Sequence, residues 1–189
     1  MQQITSLQNP LVKYLFTLTQ KSKQRKEHQQ FLIEGKREIT LALQAGYLIE
    51  QLFICPAILS EAEVERLFAG YKCTAISAEV YEKLTYRSST EGILALAQCK
   101  DHALSGSIFQ KAHPLVLVAE APEKPGNIGA LLRTADAAGI DAVYIANPKT
   151  DLYNPNIIRS SVGTVFTVPI FMGSSGDIRS HLQQQGFAI

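Results

Sequence analysis

The stretch Asn127-Ile-Gly-Ala-Leu-Leu-Arg-Thr-Ala-Asp-Ala-Ala-Gly139 decides the fold of this chain. It follows a short apolar run, Leu115–Val118, and a polar turn, Ala121–Gly126. This order is typical of a strand, a loop and a helix that begins with an Asn cap. In an open α/β sheet, ligands usually bind at the loop after a strand's carboxyl end. We therefore expect Asn127 and Arg133 to face an anionic or hydroxyl-rich substrate.

Apolar runs alternate with amphipathic segments on both sides of this stretch, which predicts an α/β fold. Before it, the pattern predicts a helix from Asn9-Pro10, a helix between Gly35 and Gly46, and further elements at 31–33, 48–55, 60–69, 73–76, 78–84 and 93–97. After a polar linker at 101–113, it predicts strands at 115–119, 142–146, 164–171 and 186–189, with helices at 127–138, 155–161 and 176–185. The expected architecture is an N-terminal α/β sandwich followed by a parallel-sheet domain that is incomplete.

The composition excludes two broad classes of protein. With 46% hydrophobic and 19% charged residues, the chain can bury a core and is not intrinsically disordered. A formal net charge of +1 is too small for a general polyanion binder. Between residues 11 and 37, however, seven Lys and Arg face two Glu, a local net charge of +5.

This basic segment has two interpretations. It is either a solvated helix face followed by a basic loop, or a surface that contacts the phosphates of RNA. The candidate RNA contacts are Lys23, Arg25, Lys26, Lys36 and Arg37.

The cysteines and histidines predict no metal site. Cys55, Cys73 and Cys99 are far apart, and Cys99 with His102 forms a lone C-x-x-H without a second pair. We expect reduced thiols in a cytoplasmic protein. No apolar run reaches the length of a membrane helix or a signal sequence, so no membrane association is expected.

The pattern N-x-G-x-x-x-R-T-A at Asn127–Ala135, preceded by an acidic residue and a Pro-containing turn, resembles the first motif of the SpoU (TrmH-type) RNA ribose methyltransferases of the SPOUT superfamily. Phe31-Leu-Ile-Glu-Gly-Lys-Arg-Glu-Ile39 resembles the start of the RNA-binding domain that precedes many of these enzymes. Tyr153-Asn-Pro-Asn-Ile-Ile-Arg-Ser-Ser-Val-Gly163 resembles the segment after the first motif. The similarity covers nearly the whole chain in the family's order.

The resemblance implies methyl transfer from S-adenosylmethionine to a ribose 2′-hydroxyl, with ribosomal RNA favoured over transfer RNA as the substrate. It implies a ribosomal-protein-like RNA-binding domain at 1–100, the linker at 101–113 and an α/β-knot methyltransferase domain at 114–189, which dimerises in the complete protein. It gives Arg133 the central catalytic role, with Asn127 beside it. By its position after the strand, Glu120 either orients Arg133 or the loop, or is an ordinary loop carboxylate. Arg159 and Ser160 either face the substrate or belong to an ordinary Ser-rich helix end before Gly163.

The chain departs from the family after Phe187-Ala-Ile189. The family's second and third motifs, which form the knotted cofactor loop, are absent, so the cofactor-binding residues are expected beyond Ile189. We expect a piece of a longer protein that is inactive by itself. The alternative is a non-catalytic RNA-binding protein derived from this family. A nucleotide-binding α/β enzyme is disfavoured, because G-x-G-x-x-G and a Walker Lys are both missing.

Overall fold

The computed structural model describes residues 3–86, 91–105, 109 and 113–189. The contacts between residues divide the chain into two compact units, Met1–Cys99 and Lys100–Ile189. The first is called unit 1 and the second unit 2.

Unit 1 alternates strands with helices along most of its length. Its elements are β1 (Gln3–Ile4), α1 (Pro10–Gln20), α2 (Ser22–His28), β2 (Gln30–Glu34), α3 (Lys36–Gln44), β3 (Ile49–Ile54), α4 (Glu61–Phe68), β4 (Cys73–Ile76), α5 (Ala78–Leu84) and β5 (Ile93–Gln98). The strands form one mixed sheet in the order β1-β4-β3-β5-β2. Neighbours on the β1-β4-β3 side are parallel, and β5 is antiparallel to both β3 and β2.

Helices α1 and α5 cover one face of this sheet. Val12, Leu15 and Leu18 recur at helical spacing on α1 and are buried with Tyr81 of α5 and Leu94 of β5 in one apolar cluster. On the other face, α3 packs against β2 and β5. The sheet is therefore covered on both faces, which explains why its interior strand β5 is apolar from Ile93 to Ala97.

Unit 2 has the alternation expected of a parallel sheet. Its elements are β6 (Val116–Glu120), α6 (Pro125–Ala137), β7 (Ala142–Ala146), α7 (Pro155–Ser161), α8 (Thr164–Thr167), β8 (Ile170–Gly173) and α9 (Ser175–Gln184). The strands pair in parallel in the order β6-β7-β8. Because the strands are parallel, the carboxyl ends of all three lie at the same edge of the sheet.

Helix α9 packs against β7 and β8 on one face of this sheet. Tyr144 of β7 stacks on Phe171 of β8 in the cluster beneath α9. Val118 of β6 is 45% exposed although it lies on the same face as Val116, which joins that cluster. The apolar end of β6 is thus only partly covered within the described residues.

Helices α6 and α7 approach each other closely at Gly129. A Cβ at this position would lie 2.7 Å from the backbone N of Ser161 and 2.8 Å from the carbonyl carbon of Ser160, with the Ser160 hydroxyl closer still. Both distances are shorter than real Cβ contacts. Glycine is therefore required at position 129 so that α7 can pack against the middle of α6.

The chain enters unit 2 through a segment anchored by His102. Its imidazole Nδ1 lies 3.0 Å from the Ile170 carbonyl oxygen and its Nε2 lies 2.8 Å from the Tyr153 hydroxyl, while its own carbonyl accepts from the Met172 amide. A carbonyl oxygen only accepts hydrogen bonds, so Nδ1 carries the proton. In this neutral imidazole, Nε2 accepts a hydrogen bond from the Tyr153 hydroxyl. Burial lowers the pKa of His102, which favours this neutral form.

The predicted linker therefore begins as an ordered part of unit 2, since Leu104 also packs beneath α9. Residues 106–108 and 110–112 of the predicted linker lie outside the described residues.

Most predicted elements are confirmed within two residues of their ends, and two predicted strands are wrong. The predicted strand at 164–171 is helical from Thr164 to Thr167, because Gly163 takes a positive φ of 85° and turns the chain before the strand starts at Ile170. Residues 186–189 form no strand; instead Phe187 contacts Phe109 edge to face. The polar segment at 19–30, which the sequence predicts to be a helix end or an exposed loop, contains the end of α1 and the separate helix α2.

We predict that Gly129→Ala destabilises unit 2. Alanine favours helix over glycine by about 1 kcal/mol, yet overpacking against the α7 backbone costs about 1–3 kcal/mol. The expected result is a lower midpoint of urea denaturation. The matched control is Gly126→Ala in the same helix, where the nearest atom to an added Cβ is Asn156 Nδ2 at 4.0 Å. If Gly129→Ala were as stable as Gly126→Ala, the close approach would not be a constraint.

Candidate active site

The motif helix α6 begins earlier than the sequence predicts. It starts at Pro125, with Lys124 in the cap position and no side-chain cap hydrogen bond. Proline fits the first helical position because its missing N–H has no helical partner there. The prediction that Asn127 caps the helix is therefore wrong. Asn127 lies in the first turn, with its side chain exposed.

The opposite sides of α6 have different roles. Ile128, Leu132 and Ala135 are buried against the rest of unit 2. Asn127 and Arg133 are exposed, and neither side chain makes a hydrogen bond or an ion pair with any residue that the structure describes. Both polar groups of the motif are thus available to a ligand, as the sequence predicts, and their functional roles stay predictions.

Glu120 lies at the carboxyl end of β6 and accepts hydrogen bonds from side chains that follow the other two strands of the sheet. Its Oε1 accepts from Asn147 Nδ2 at 2.8 Å, and its Oε2 accepts from the Ser175 hydroxyl. Asn147 Nδ2 also donates to Ser175 Oγ at 2.7 Å. The hydrogen bond from Ser175, followed by that from Asn147, holds the pKa of the Glu120 carboxyl below its ordinary value.

Asn147 and Ser175 are not among the site residues predicted from the sequence. Asn147 directly follows β7, and Ser175 opens α9 two residues after β8. The rule that ligand and site residues follow the carboxyl ends of parallel strands applies to both positions. That rule, applied to every strand rather than to β6 alone, was the signal that could have found them.

Arg159 and Ser160 lie in the last turn of α7 and differ in their surroundings. Arg159 is exposed, as expected of a residue that faces a substrate. Ser160 is half-buried; its hydroxyl donates to the Asn156 carbonyl and lies against Gly129 of α6. Ser160 therefore serves the contact between the two helices, and the prediction of an RNA contact has no support in its position.

In unit 1, the predicted RNA contacts divide into exposed and engaged residues. Lys23 and Lys26 on α2 and Arg37 on α3 are exposed. Lys36 is only 34% exposed at its side chain and pairs with Glu63, 2.9 Å from Nζ to Oε1. Arg25 is 2% exposed and donates from Nη1 to the Leu18 carbonyl. The prediction that Arg25 contacts RNA is thus wrong, because its buried guanidinium joins α2 to α1 through this hydrogen bond.

A cavity of about 430 Å³ lies at the amino end of β6, at the other end of the strand from Glu120. Its lining residues are His113, Pro114, Leu115, Val116, Gln185, Gly186, Phe187 and Ala188. In the described ranges, no group of three or more His, Cys, Asp or Glu side chains is placed to hold a metal ion. None of the described helices is long and apolar enough to cross a membrane.

Comparison with known proteins gives two family matches. Residues 9–95 match the MRM3-like substrate binding domain, and residues 114–189 match the SpoU rRNA Methylase family. Among curated relatives, the chain is 28% identical over 189 residues to the 23S rRNA (guanosine(2553)-2′-O)-methyltransferase RlmP of Bacillus subtilis, covering 100% of this chain and 72% of the relative. It spans 60% or less of the length of several further curated relatives.

Solved structures give the same result. The crystal structure of an RNA 2′-O ribose methyltransferase superposes with a TM-score of 0.82 at 38% identity, covering 98% of this chain and 70% of that one. An AdoMet-bound rRNA methyltransferase from Sinorhizobium meliloti superposes with a TM-score of 0.81 at 26% identity, covering 96% and 68%. With this fold, an exposed Asn127 and Arg133 on the motif helix, and matches across both units, the chain belongs to the SpoU family of RNA methyltransferases.

Proposed function

We propose that the protein transfers the methyl group of S-adenosylmethionine to a ribose 2′-hydroxyl of RNA, with ribosomal RNA as the substrate. The observation that carries this proposal is Arg133, an exposed cation without a protein partner among the described residues, on the motif helix of a SpoU unit. The RlmP relative, whose name specifies 2′-O-methylation of 23S rRNA, supports the choice of RNA.

Arg133 suits charge stabilisation better than proton removal. Methyl transfer to a 2′-hydroxyl requires the weakly acidic hydroxyl to be held in line and to lose its proton. A guanidinium keeps its own proton at neutral pH and cannot act as the base. It can instead hold an adjacent phosphate or the ribose oxygen with charge-assisted hydrogen bonds and stabilise the developing negative charge. The proton then leaves to a phosphate oxygen or to water.

S-adenosylmethionine is the family's methyl donor, and when bound it supplies the sulfonium methyl. The cavity beside β6 does not fit it, because this cavity lies away from the carboxyl edge of the sheet and its lining has no carboxylate for the ribose hydroxyls of the cofactor. We therefore assign no residue of this chain to the cofactor.

Within this proposal, residues 1–100 bind RNA, residues 101–113 link the domains and residues 114–189 belong to the methyltransferase domain. The matches at 9–95 and 114–189 support this division. The exposed Lys23, Lys26 and Arg37 supply the phosphate contacts of unit 1. A cytoplasmic location and a homodimer of the complete protein belong to the same proposal.

A second candidate is a non-catalytic RNA-binding protein that kept the first motif. The two functions differ in one observable property, since both bind RNA but only the enzyme transfers methyl groups. The assay therefore measures methyl transfer together with RNA binding.

We predict that Arg133→Ala lowers methyl transfer by the full-length protein by at least about a hundredfold, the scale of losing one group that stabilises transition-state charge. The measurement is incorporation of labelled methyl from S-adenosylmethionine into ribosomal RNA. The matched control is Arg179→Ala, because Arg179 is an exposed arginine on α9 outside the proposed site. Near-normal methylation by Arg133→Ala would show that the assignment of Arg133 is wrong.

We also predict that the double variant Lys23→Ala/Lys26→Ala weakens RNA binding and its salt dependence. Each lost phosphate contact lowers the slope of log affinity against log salt by about 0.7 to 0.9. The binding can be measured with the 189-residue chain and an rRNA transcript at several salt concentrations. Lys72→Ala, which removes an exposed lysine outside α2, should leave the slope unchanged. An unchanged slope in the double variant would place the RNA elsewhere.

A further inference from the structure

Three side chains close a ring of hydrogen bonds at the carboxyl edge of the unit 2 sheet. Glu120 follows β6, Asn147 follows β7, and Ser175 begins α9 after β8. The two carboxylate oxygens of Glu120 accept from Asn147 and Ser175, and Asn147 donates to Ser175 as well. The ring therefore ties together the three segments of chain that leave the three parallel strands.

The backbone at two of these exits has an unusual conformation. Ala121 and Asn147 have φ values of 45° and 47°, in the left-handed region that residues with a Cβ adopt at an energetic cost. In this conformation the Ala121 amide donates to the Ala146 carbonyl and the Asn147 amide donates to the Gly173 carbonyl, both at 2.8 Å. An alanine with positive φ persists only where its surroundings hold it, and the ring lies next to it in the chain.

The ring also lies directly before the motif helix. Only Ala121, Pro122, Glu123 and Lys124 separate Glu120 from the start of α6. The direction in which this loop leaves β6 therefore fixes how the first turn of α6, with Asn127, is presented. Lys149, on the loop after β7, adds a nearby positive charge that favours ionised Glu120.

We propose that Glu120, Asn147 and Ser175 form a clamp that positions the 121–124 loop and the first turn of α6 for reaction, with Glu120 as a positioning residue rather than a proton acceptor. The proposal rests on the methyltransferase function proposed above. A carboxylate whose two oxygens both accept hydrogen bonds is a poor base. The hydrogen-bond partners of Glu120 lie in the segments that follow β7 and β8, and Arg133 is not one of them. Asn147 and Ser175 thereby gain a role that the motif does not indicate.

Two variants of Glu120 separate a clamp from a base. In Glu120→Gln, the side-chain carbonyl still accepts from Asn147 and the amide can donate to Ser175 Oγ, so the ring survives without the charge. Glu120→Ala removes the ring. If Glu120 acted as a base, both variants would lose activity. If Glu120 acts through the ring, only Glu120→Ala loses activity.

The first measurement uses the 189-residue chain and does not depend on activity. Hydrogen exchange of the Ala121 and Asn147 amides, followed by NMR, should become about tenfold faster in Glu120→Ala, the scale of losing one net hydrogen bond, and stay near the wild-type rate in Glu120→Gln. Asp136→Ala removes an exposed carboxylate of α6 as the matched control. Unchanged exchange in Glu120→Ala would overturn the clamp.

The second measurement uses the full-length protein with S-adenosylmethionine and ribosomal RNA. We expect kcat to fall about tenfold to a hundredfold in Glu120→Ala, the scale of a misplaced reacting group, and Glu120→Gln to restore most of it with an unchanged pH profile. Adding Ser175→Ala to Glu120→Ala should cause little further loss, since both act through one ring. If Glu120→Gln loses activity and also loses the acidic limb of the pH profile, where a base becomes protonated, Glu120 is a proton acceptor and the proposal is overturned. A wild-type protein that transfers no methyl group would refute the proposed function, while the exchange result would still decide the clamp.

Discussion

The contact between α6 and α7 at Gly129 is the constraint on which the rest of unit 2 depends. The backbone of α7 at Ser160 and Ser161 lies so close to position 129 of α6 that even a Cβ does not fit between them. This packing fixes the rotation of α6 about its own axis. With Ile128, Gly129 and Leu132 facing inward, Arg133 and Asn127 are left on the exposed part of the same helix. The glycine of the motif thus serves packing and leaves Asn127 and Arg133 exposed, where the proposed function places the substrate.

Two polar features of unit 2 are exposed but differ in their hydrogen bonding. The ring around Glu120 is exposed, yet each of its three side chains is hydrogen-bonded to the other two. Arg133, by contrast, has no partner among the described residues. A cation held on a rigid helix without a protein counter-charge is suited to an anionic ligand, because binding requires no protein ion pair to break. The arrangement is what recognition of an RNA phosphate or ribose oxygen needs.

The regular elements could be predicted from the sequence because apolar periodicity determines them. The buried runs of β5 and β7 follow local rules, and the structure confirms them. The segment Thr164–Thr167 could not be predicted, since its β-branched residues favour a strand while its packing against α6 and α7 makes it helical. Tertiary contacts decided this element against its propensity.

The site residues that could be predicted from the sequence are those within one continuous segment of the chain. Asn127, Arg133 and Glu120 belong to a single strand–loop–helix segment, and the sequence singled out all three. Asn147 and Ser175 join Glu120 only through the parallel pairing of the sheet, which brings residues 27 and 55 positions away to one carboxylate. Arg25 was misassigned for the related reason that charge in a sequence does not reveal burial; its guanidinium is enclosed by unit 1.

The most direct test of the central claim is the chemical position of the methyl group in the product. The full-length protein would be incubated with methyl-labelled S-adenosylmethionine and ribosomal RNA, and the RNA would then be hydrolysed in alkali. Alkaline cleavage requires a free 2′-hydroxyl, so a 2′-O-methylated nucleotide stays joined to its neighbour. The account predicts that the label is recovered in alkali-resistant dinucleotides. Label in mononucleotides, which indicates a methylated base, or no label at all, would contradict it.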